Sequence, residues 1–246
     1  MNHTTNNAAP DLAALVGATR ATLERIVRDF SPAVFASSLA AEDMVLTDLI
    51  LKAQLPIAIF SLETGRLPPE TLDMLVKVKE SYGYDIALYH PQTEAVDAYV
   101  TQNGLNAFYD SVEMRRECCR IRKVEPLGRA LTGKKAWVTG QRRAQSNTRA
   151  ELHVEEDDAA HAMRKFNPLA DWSEQDVWDY IRANDVPYNA LHDQGYPSIG
   201  CAPCTRAVEP GEDVRAGRWW WENPDSKECG LHMVDGKLIR IKSAAN

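Results

Sequence analysis

From Leu12 to Phe30 the apolar residues Leu12, Leu15, Leu23, Ile26 and Val27 recur at helical spacing, which predicts an amphipathic helix with one buried face. A short β-prone run, Ala33-Val34-Phe35-Ala36, follows. It leads into the polar stretch Ser37-Ser38-Leu39-Ala40-Ala41-Glu42-Asp43 and then a helix from about Met44 to Ala53. Pro56-Ile57-Ala58-Ile59-Phe60 reads as a second buried strand. After it come Ser61-Leu62-Glu63-Thr64-Gly65-Arg66 and a helix opened by Pro68-Pro69, a position where proline's missing N–H is tolerated. Ile86–Tyr89 and Ala136–Thr139 read as further strands, and Met114–Ala130 favours helix at least up to Pro126. Ser173 is placed to cap a helix through Val177-Trp178-Asp179-Tyr180-Ile181, with an acidic residue at its third position.

Strands alternating with helices predict an α/β fold, a mostly parallel sheet flanked by helices on both faces. Ligands of such sheets sit beyond the carboxyl ends of the strands. The loops Ser37–Asp43, Glu63–Arg66 and Gly140–Arg149 are therefore the expected walls of a pocket. From Glu209 the pattern degrades, broken by Pro210, Gly211, Gly217, Pro224 and Gly230. The expected organisation is a disordered lead-in over 1–10, an α/β domain over 11–204, and a partly mobile tail over 205–246. Trp219-Trp220-Trp221 is the part of that tail expected to dock on the body.

The chain has 246 residues, enough for a sizeable core. No apolar run reaches membrane-span length. Met1–Pro10 lacks the basic-then-apolar layout of a signal peptide, so a cytoplasmic location is expected. A net charge of −7 argues against a nucleic-acid binder. The cations are nevertheless grouped: Arg115, Arg116, Arg120, Arg122 and Lys123; then Arg142, Arg143 and Arg149; then Arg215 and Arg218. Compact basic islands on an acidic chain suit a small anionic ligand, although any one island could equally be a solvated face.

Five cysteines in a reducing compartment point to metal or thiol chemistry rather than to disulfides. Cys201-Ala202-Pro203-Cys204 brings two thiolates together, and Cys118-Cys119 adds an adjacent pair. Four cysteine ligands hold either Zn²⁺ or an iron–sulfur cluster. Adjacent helical side chains diverge, so a vicinal pair suits a cluster with separate corners better than one small ion. Cys229 is left over, in Glu228-Cys229-Gly230-Leu231-His232, a polar segment that predicts exposure. A thiol near cations becomes nucleophilic; the plain alternative is an inert surface thiol.

The combination of Cys118–Leu127, Thr64-Gly65-Arg66-Leu67-Pro68, Gly140-Gln141-Arg142-Arg143, Gly200–Thr205 and Glu228–His232 resembles the assimilatory adenylyl-sulfate (APS) and 3′-phospho-APS (PAPS) reductases, from about Ala33 to His232. The resemblance implies an adenine nucleotide α-hydrolase-like fold, related to ATP pyrophosphatases, and a homo-oligomer. It implies that Cys229 attacks the sulfate sulfur of APS, that AMP leaves, and that thioredoxin releases sulfite from the S-sulfocysteine. Both cysteine pairs match the branch that carries a [4Fe–4S] cluster and mostly uses APS, with Cys118, Cys119, Cys201 and Cys204 as ligands. By the same resemblance Lys123, Arg149, Arg215, Arg218 and His232 bind the anionic groups, and Ser37, Ser38, Thr64 and Arg66 belong to the nucleotide loops. PAPS as substrate and a non-catalytic, zinc-containing nucleotide-binding module are the alternatives. One departure stands out: the phosphate loop of this superfamily usually carries glycine, and Ser38-Leu39-Ala40-Ala41-Glu42 has none.

Overall fold

The computed structural model describes residues 11–146 and 149–222. The lead-in 1–10, Cys229 and His232 lie outside the described residues. The elements run α1 (Leu12–Phe30), β1 (Ala33–Ala36), α2 (Ala41–Lys52), β2 (Ala58–Leu62), α3 (Pro69–Tyr82), β3 (Ala87–Tyr89), α4 (Thr93–Asn103), α5 (Val112–Cys119), α6 (Glu125–Leu131), β4 (Ala136–Val138), β5 (Glu155–Asp158), β6 (Met163–Phe166) and α7 (Glu174–Ala183).

The strands form one six-stranded sheet in the order β3-β2-β1-β4-β6-β5. Every pairing is parallel except that of β5 with β6 at the edge. Side chains alternate between two cores, as the pleat requires. Phe35, Ile59, Ala136 and Val138 face the core built with α1, α2 and α7. Val34, Phe60 and Trp137 face Leu127, Ala130 and Leu131 of α6. This two-sided burial explains why the strands read as continuous apolar runs. Fully burying α1 residues such as Leu23 and Ile26 contributes about 1.5–3 kcal/mol each.

In α2, Ala41 and every residue from Asp43 to Ile50 are buried, so it is enclosed all round rather than amphipathic. Its buried Asp48 is satisfied by Tyr82 Oη at 2.8 Å, Tyr180 Oη at 2.7 Å and Lys52 Nζ at 2.8 Å, which ties α2 to α3 and α7. The helix read as reaching at least Pro126 continues to Leu131. Between α5 and α6, residues Arg120–Val124 form a π-helical turn, directly before Pro126 in the first turn of α6, so the irregular i→i+5 bonding falls where the proline interrupts the regular ladder.

The stretch expected to be a tail from residue 205 packs on the body as far as Glu222. Thr205 bridges Arg218, and Trp219 N–H donates to the Cys204 carbonyl at 3.1 Å. Trp219 is 1% exposed. Arg115 and Glu222 form a buried two-pronged pair at 2.6 and 2.9 Å. The docking expected of Trp219-Trp220-Trp221 is thus present, and it reaches further: Trp221 packs on Phe108 and Tyr109, and Arg206 N–H and Val208 N–H donate to the Gly217 and Gly195 carbonyls at 3.0 and 2.9 Å. No helix among the described residues is long and apolar enough to cross a membrane.

Candidate active site

In the order β3-β2-β1-β4-β6-β5 the chain direction of the winding reverses between β1 and β4, where an open parallel sheet splits its loops to opposite sides. A cleft of about 670 Å³ opens there, lined among others by Ser37, Ser38, Thr64, Lys123, Arg149, Arg215 and Arg218. These seven are residues expected to meet the substrate. They come from five separate parts of the chain, and the fold brings them to one wall-and-floor arrangement.

The loop after β1 solves its lack of glycine in an unusual way. Leu39 takes the left-handed conformation with φ 64° and is fully buried. A left-handed L-residue costs about 1–2 kcal/mol, which the buried leucine side chain offsets. Leu39 N–H donates to Ser37 Oγ at 3.2 Å. Ser38 N–H and Ser38 Oγ both donate to Asp43 Oδ2 at 2.6 Å. The turn therefore folds back on the first turn of α2, whose N-terminus faces the cleft and offers the partial positive charge that a phosphate favours.

Asp43 joins this loop to the one after β4. Burial pushes its carboxyl up to about 6, aided by neighbouring Glu42 and opposed by hydrogen bonds from Ser38 and the Gly140 backbone. Gly140 has to be glycine, because a Cβ there would overlap the Asp43 carboxylate. Next to it Arg142 Nε and Nη2 donate to Glu42 Oε1 at 3.0 and 2.7 Å, and Nη1 donates to the Trp172 carbonyl at 3.3 Å. Burial raises the Glu42 carboxyl, but Arg142 outweighs it and holds the group below its ordinary value. Neither Asp43 nor Glu42 stood out from sequence as a site residue; the signal was an acidic pair inside a loop otherwise suited to anions.

The basic wall is held by local packing. Arg218 Nη1 donates to Ser198 Oγ at 3.3 Å and the Ile199 carbonyl at 3.1 Å, and its guanidinium lies 4.8 Å from the Trp219 ring centre. A Cβ on Gly200 would overlap that guanidinium. Arg149 donates to Gln145 Oε1. Arg66 sits elsewhere: it stacks over Phe108 at 4.8 Å and donates to the Leu105 carbonyl at 2.6 Å, beside the cysteines rather than in the cleft.

Cys118, Cys119, Cys201 and Cys204 are all buried free thiols. Together with Arg66, Arg122 and Lys123 they line one small cavity beside the cleft. The vicinal pair ends α5 immediately before the π-helical turn, a distortion frequent at functional sites. Among the described residues no three His, Cys, Asp or Glu side chains are grouped to hold a metal ion; the thiols ring a space instead. Tetrahedral zinc would need sulfurs about 3.8 Å apart, given Zn–S bonds of about 2.3 Å.

Three observations bear on whether a [4Fe–4S] cluster fits. The cavity has four thiols on its wall. Trp219 Nε1, in the same apolar cluster as Cys118, Cys201 and Cys204, is buried with no hydrogen-bond partner, a donor that cluster or cysteine sulfur would satisfy. Finally, burial pushes the Cys204 thiol up to about 12 and raises that of Cys118, while Lys123 and Arg218 oppose this at Cys204 and Arg122 and Arg66 at Cys118. Cations surrounding buried thiols are what a thiolate-bound, net-negative cluster requires. The residues present fit the group.

Cleft and cavity share a wall. Lys123 and Cys201 line both. Thr64 Oγ1 lies 3.3 Å from Cys201 Sγ, Arg122 Nη1 donates to the Thr64 carbonyl at 2.7 Å, and Ala202 N–H donates to the Arg66 carbonyl at 2.8 Å. The loop after β2 is thus fastened to the Cys201–Cys204 turn.

A family model described as the phosphoadenosine phosphosulfate reductase domain matches residues 32–207. The adenosine 5′-phosphosulfate reductase of Burkholderia cepacia is 63% identical over 225 residues, covering 92% of this chain and 90% of that protein. Among solved structures, the phosphoadenylyl-sulfate reductase of Candida auris has a TM-score of 0.66 at 26% identity, covering 85% of this chain and 99% of that one. The NH3-dependent NAD synthetase of Campylobacter jejuni shares the fold, with a TM-score of 0.53 at 11% identity, covering 76% of this chain and 80% of its own. With the cleft at the sheet's switch point and this breadth of similarity, the chain belongs to the family of adenosine 5′-phosphosulfate and phosphoadenosine phosphosulfate reductases.

Proposed function

We propose that the chain reduces adenosine 5′-phosphosulfate to sulfite with release of AMP, as a cytoplasmic step of sulfate assimilation, with a thioredoxin-type dithiol as reductant. The observation that carries this reading is the shared wall: Lys123 and Cys201 face both the nucleotide-sized cleft and the four-cysteine cavity.

In the first step the Cys229 thiolate attacks the sulfate sulfur. The bond from that sulfur to the bridging phosphate oxygen breaks, and AMP takes the electron pair. Lys123, Arg149, Arg215 and Arg218 are among the cations that line the cleft, and they would stabilise charge developing on the sulfate and the departing phosphate. In the second step a thiolate of the dithiol attacks Cys229 Sγ of the S-sulfocysteine, and sulfite leaves with the electrons of the broken S–S bond. The second donor thiol then resolves the mixed disulfide and returns Cys229. The donor supplies two electrons, the number the reduction needs.

Cys229 is seven residues beyond Glu222, an extended reach of up to about 25 Å. That span serves a thiol that must meet first a bound nucleotide and then an external protein. Cys118, Cys119, Cys201 and Cys204 would hold a [4Fe–4S] cluster, which when bound supplies a fixed charge beside Lys123. The thiol steps themselves consume no cluster electrons.

The test is sulfite release with reduced thioredoxin, comparing kcat/KM for APS and PAPS. The reading expects a clear preference for APS. A preference for PAPS would overturn the substrate, and AMP binding without sulfite release from either nucleotide would leave a non-catalytic binding module.

A further inference from the structure

His192 is half-buried on the cleft wall, in a short 3₁₀ turn (Ala190–Gln194) after α7. Its ring stands edge-on to Trp178, with centres 5.2 Å apart. Ala41 N–H, the first of α2, donates to His192 Nε2 at 3.2 Å. The residue that should cap α2 from its own chain position, Ala40, has no side-chain hydrogen bond to offer. Orphan N–H groups at a helix start need an acceptor. Here the acceptor comes from 151 residues away.

The tautomer follows from this contact. Nε2 accepts, so the ring proton sits on Nδ1, and the ring's other hydrogen bond goes to the Tyr196 backbone. Burial lowers the His192 pKa, with Glu42, Asp193 and Glu174 pulling the other way. The imidazole is therefore neutral at pH 7 and able to accept.

We propose that His192 is a positioning residue for nucleotide binding: it caps the N-terminus of α2 from outside and so holds the Ser37–Asp43 loop in the shape that meets the AMP phosphate. This deepens the proposed function and rests on it. The loop depends on α2 through Asp43, which accepts from both Ser38 groups, and through Glu42, clamped by Arg142. His192 adds the third anchor, on the first helical residue. Without it, Ala41 N–H has only water or the ligand to satisfy it, and the first turn is free to fray.

Calorimetric titration of the whole protein with AMP tests this, using His192→Leu and His192→Gln. Leucine keeps bulk against Trp178 but accepts no hydrogen bond. Glutamine can place a neutral oxygen near the Nε2 position. The proposal expects AMP to bind about 5–30-fold more weakly to the leucine variant, the span from the typical to the upper cost of losing a helix cap, with the loss of APS reduction falling on KM rather than kcat. It expects glutamine to restore affinity to within about threefold. Unchanged affinity in the leucine variant, or equal weakening in both, would overturn it. Wild-type protein that binds AMP but releases no sulfite from APS would sink the proposed function while leaving the positioning role intact.

Discussion

Asp43 gives the sharpest quantitative prediction. It is 6% exposed, and its carboxyl rises from 3.8 to about 6 chiefly through burial. At about 1.36 kcal/mol per pH unit, keeping this side chain ionised costs the folded state about 3 kcal/mol at pH 7. The folded-state pKa lies above the unfolded one, so the folded chain binds the proton more tightly. Its contribution to stability is fully present below about pH 3.8 and is lost as pH rises through about 6. Asp43→Asn removes this dependence. An amide also leaves one backbone or hydroxyl donor of Ser38 or Gly140 facing an NH₂, at about 1–3 kcal/mol. Net stability at pH 7.5 should therefore change little, while the loop it organises loosens. The measurement is urea unfolding at pH 5 and pH 8 for both proteins. Between these limits the stability difference between wild type and variant should shift by about 1.4 kcal/mol, wild type being the relatively more stable at pH 5. AMP binding at pH 7.5 should fall in the variant. A difference independent of pH, or a variant that binds AMP normally, would refute the assignment of Asp43 as a charged organiser of the loop.

Further tests bear on other parts of the site. Leu39→Gly relieves about 1–2 kcal/mol of left-handed strain but deletes a fully buried side chain worth about 2–5 kcal/mol, so chemical denaturation should show net destabilisation; a more stable variant would contradict the packing account. Gly200→Ala should displace the Arg218 guanidinium and weaken AMP binding about tenfold with little change in melting temperature, because only the end of a flexible side chain has to move; unchanged affinity would remove Arg218 from the anion wall. Anaerobically purified protein should be brown, and Cys201→Ser or Cys204→Ser should lose iron and visible absorbance together. A colourless wild-type protein with stoichiometric zinc would sink the cluster assignment.

Much of the scaffold was legible because burial on both sheet faces leaves plain marks. The apolar run Ala33–Ala36 coincides with β1, the periodicity over Leu12–Phe30 with α1, Ser173 does cap α7, and the loops after β1, β2 and β4 line the cleft. The edge hairpin was not legible: Glu155–Asp158 is an all-acidic strand, contrary to β propensity. It is tolerated at an edge, where charge discourages further strand pairing. Family resemblance assigns Arg66 to the nucleotide loops, yet its long side chain turns to Phe108 and the cysteine cavity. His192 left no sequence signal at all, because its partner Ala41 is distant along the chain and uses only a backbone N–H. Asp43 and Gly140 likewise act as a pair across the switch point, and neither is informative without the other.

In the proposed mechanism Cys229 takes the sulfo group from the nucleotide before any reductant acts. Intact-protein and peptide mass spectrometry after incubation with APS, in the absence of thioredoxin, tests it directly. One SO₃ should be added per chain, located on Cys229, released as sulfite by reduced thioredoxin and absent in Cys229→Ser. Sulfite formed at wild-type rate by Cys229→Ser, or an adduct on any other cysteine, would contradict it.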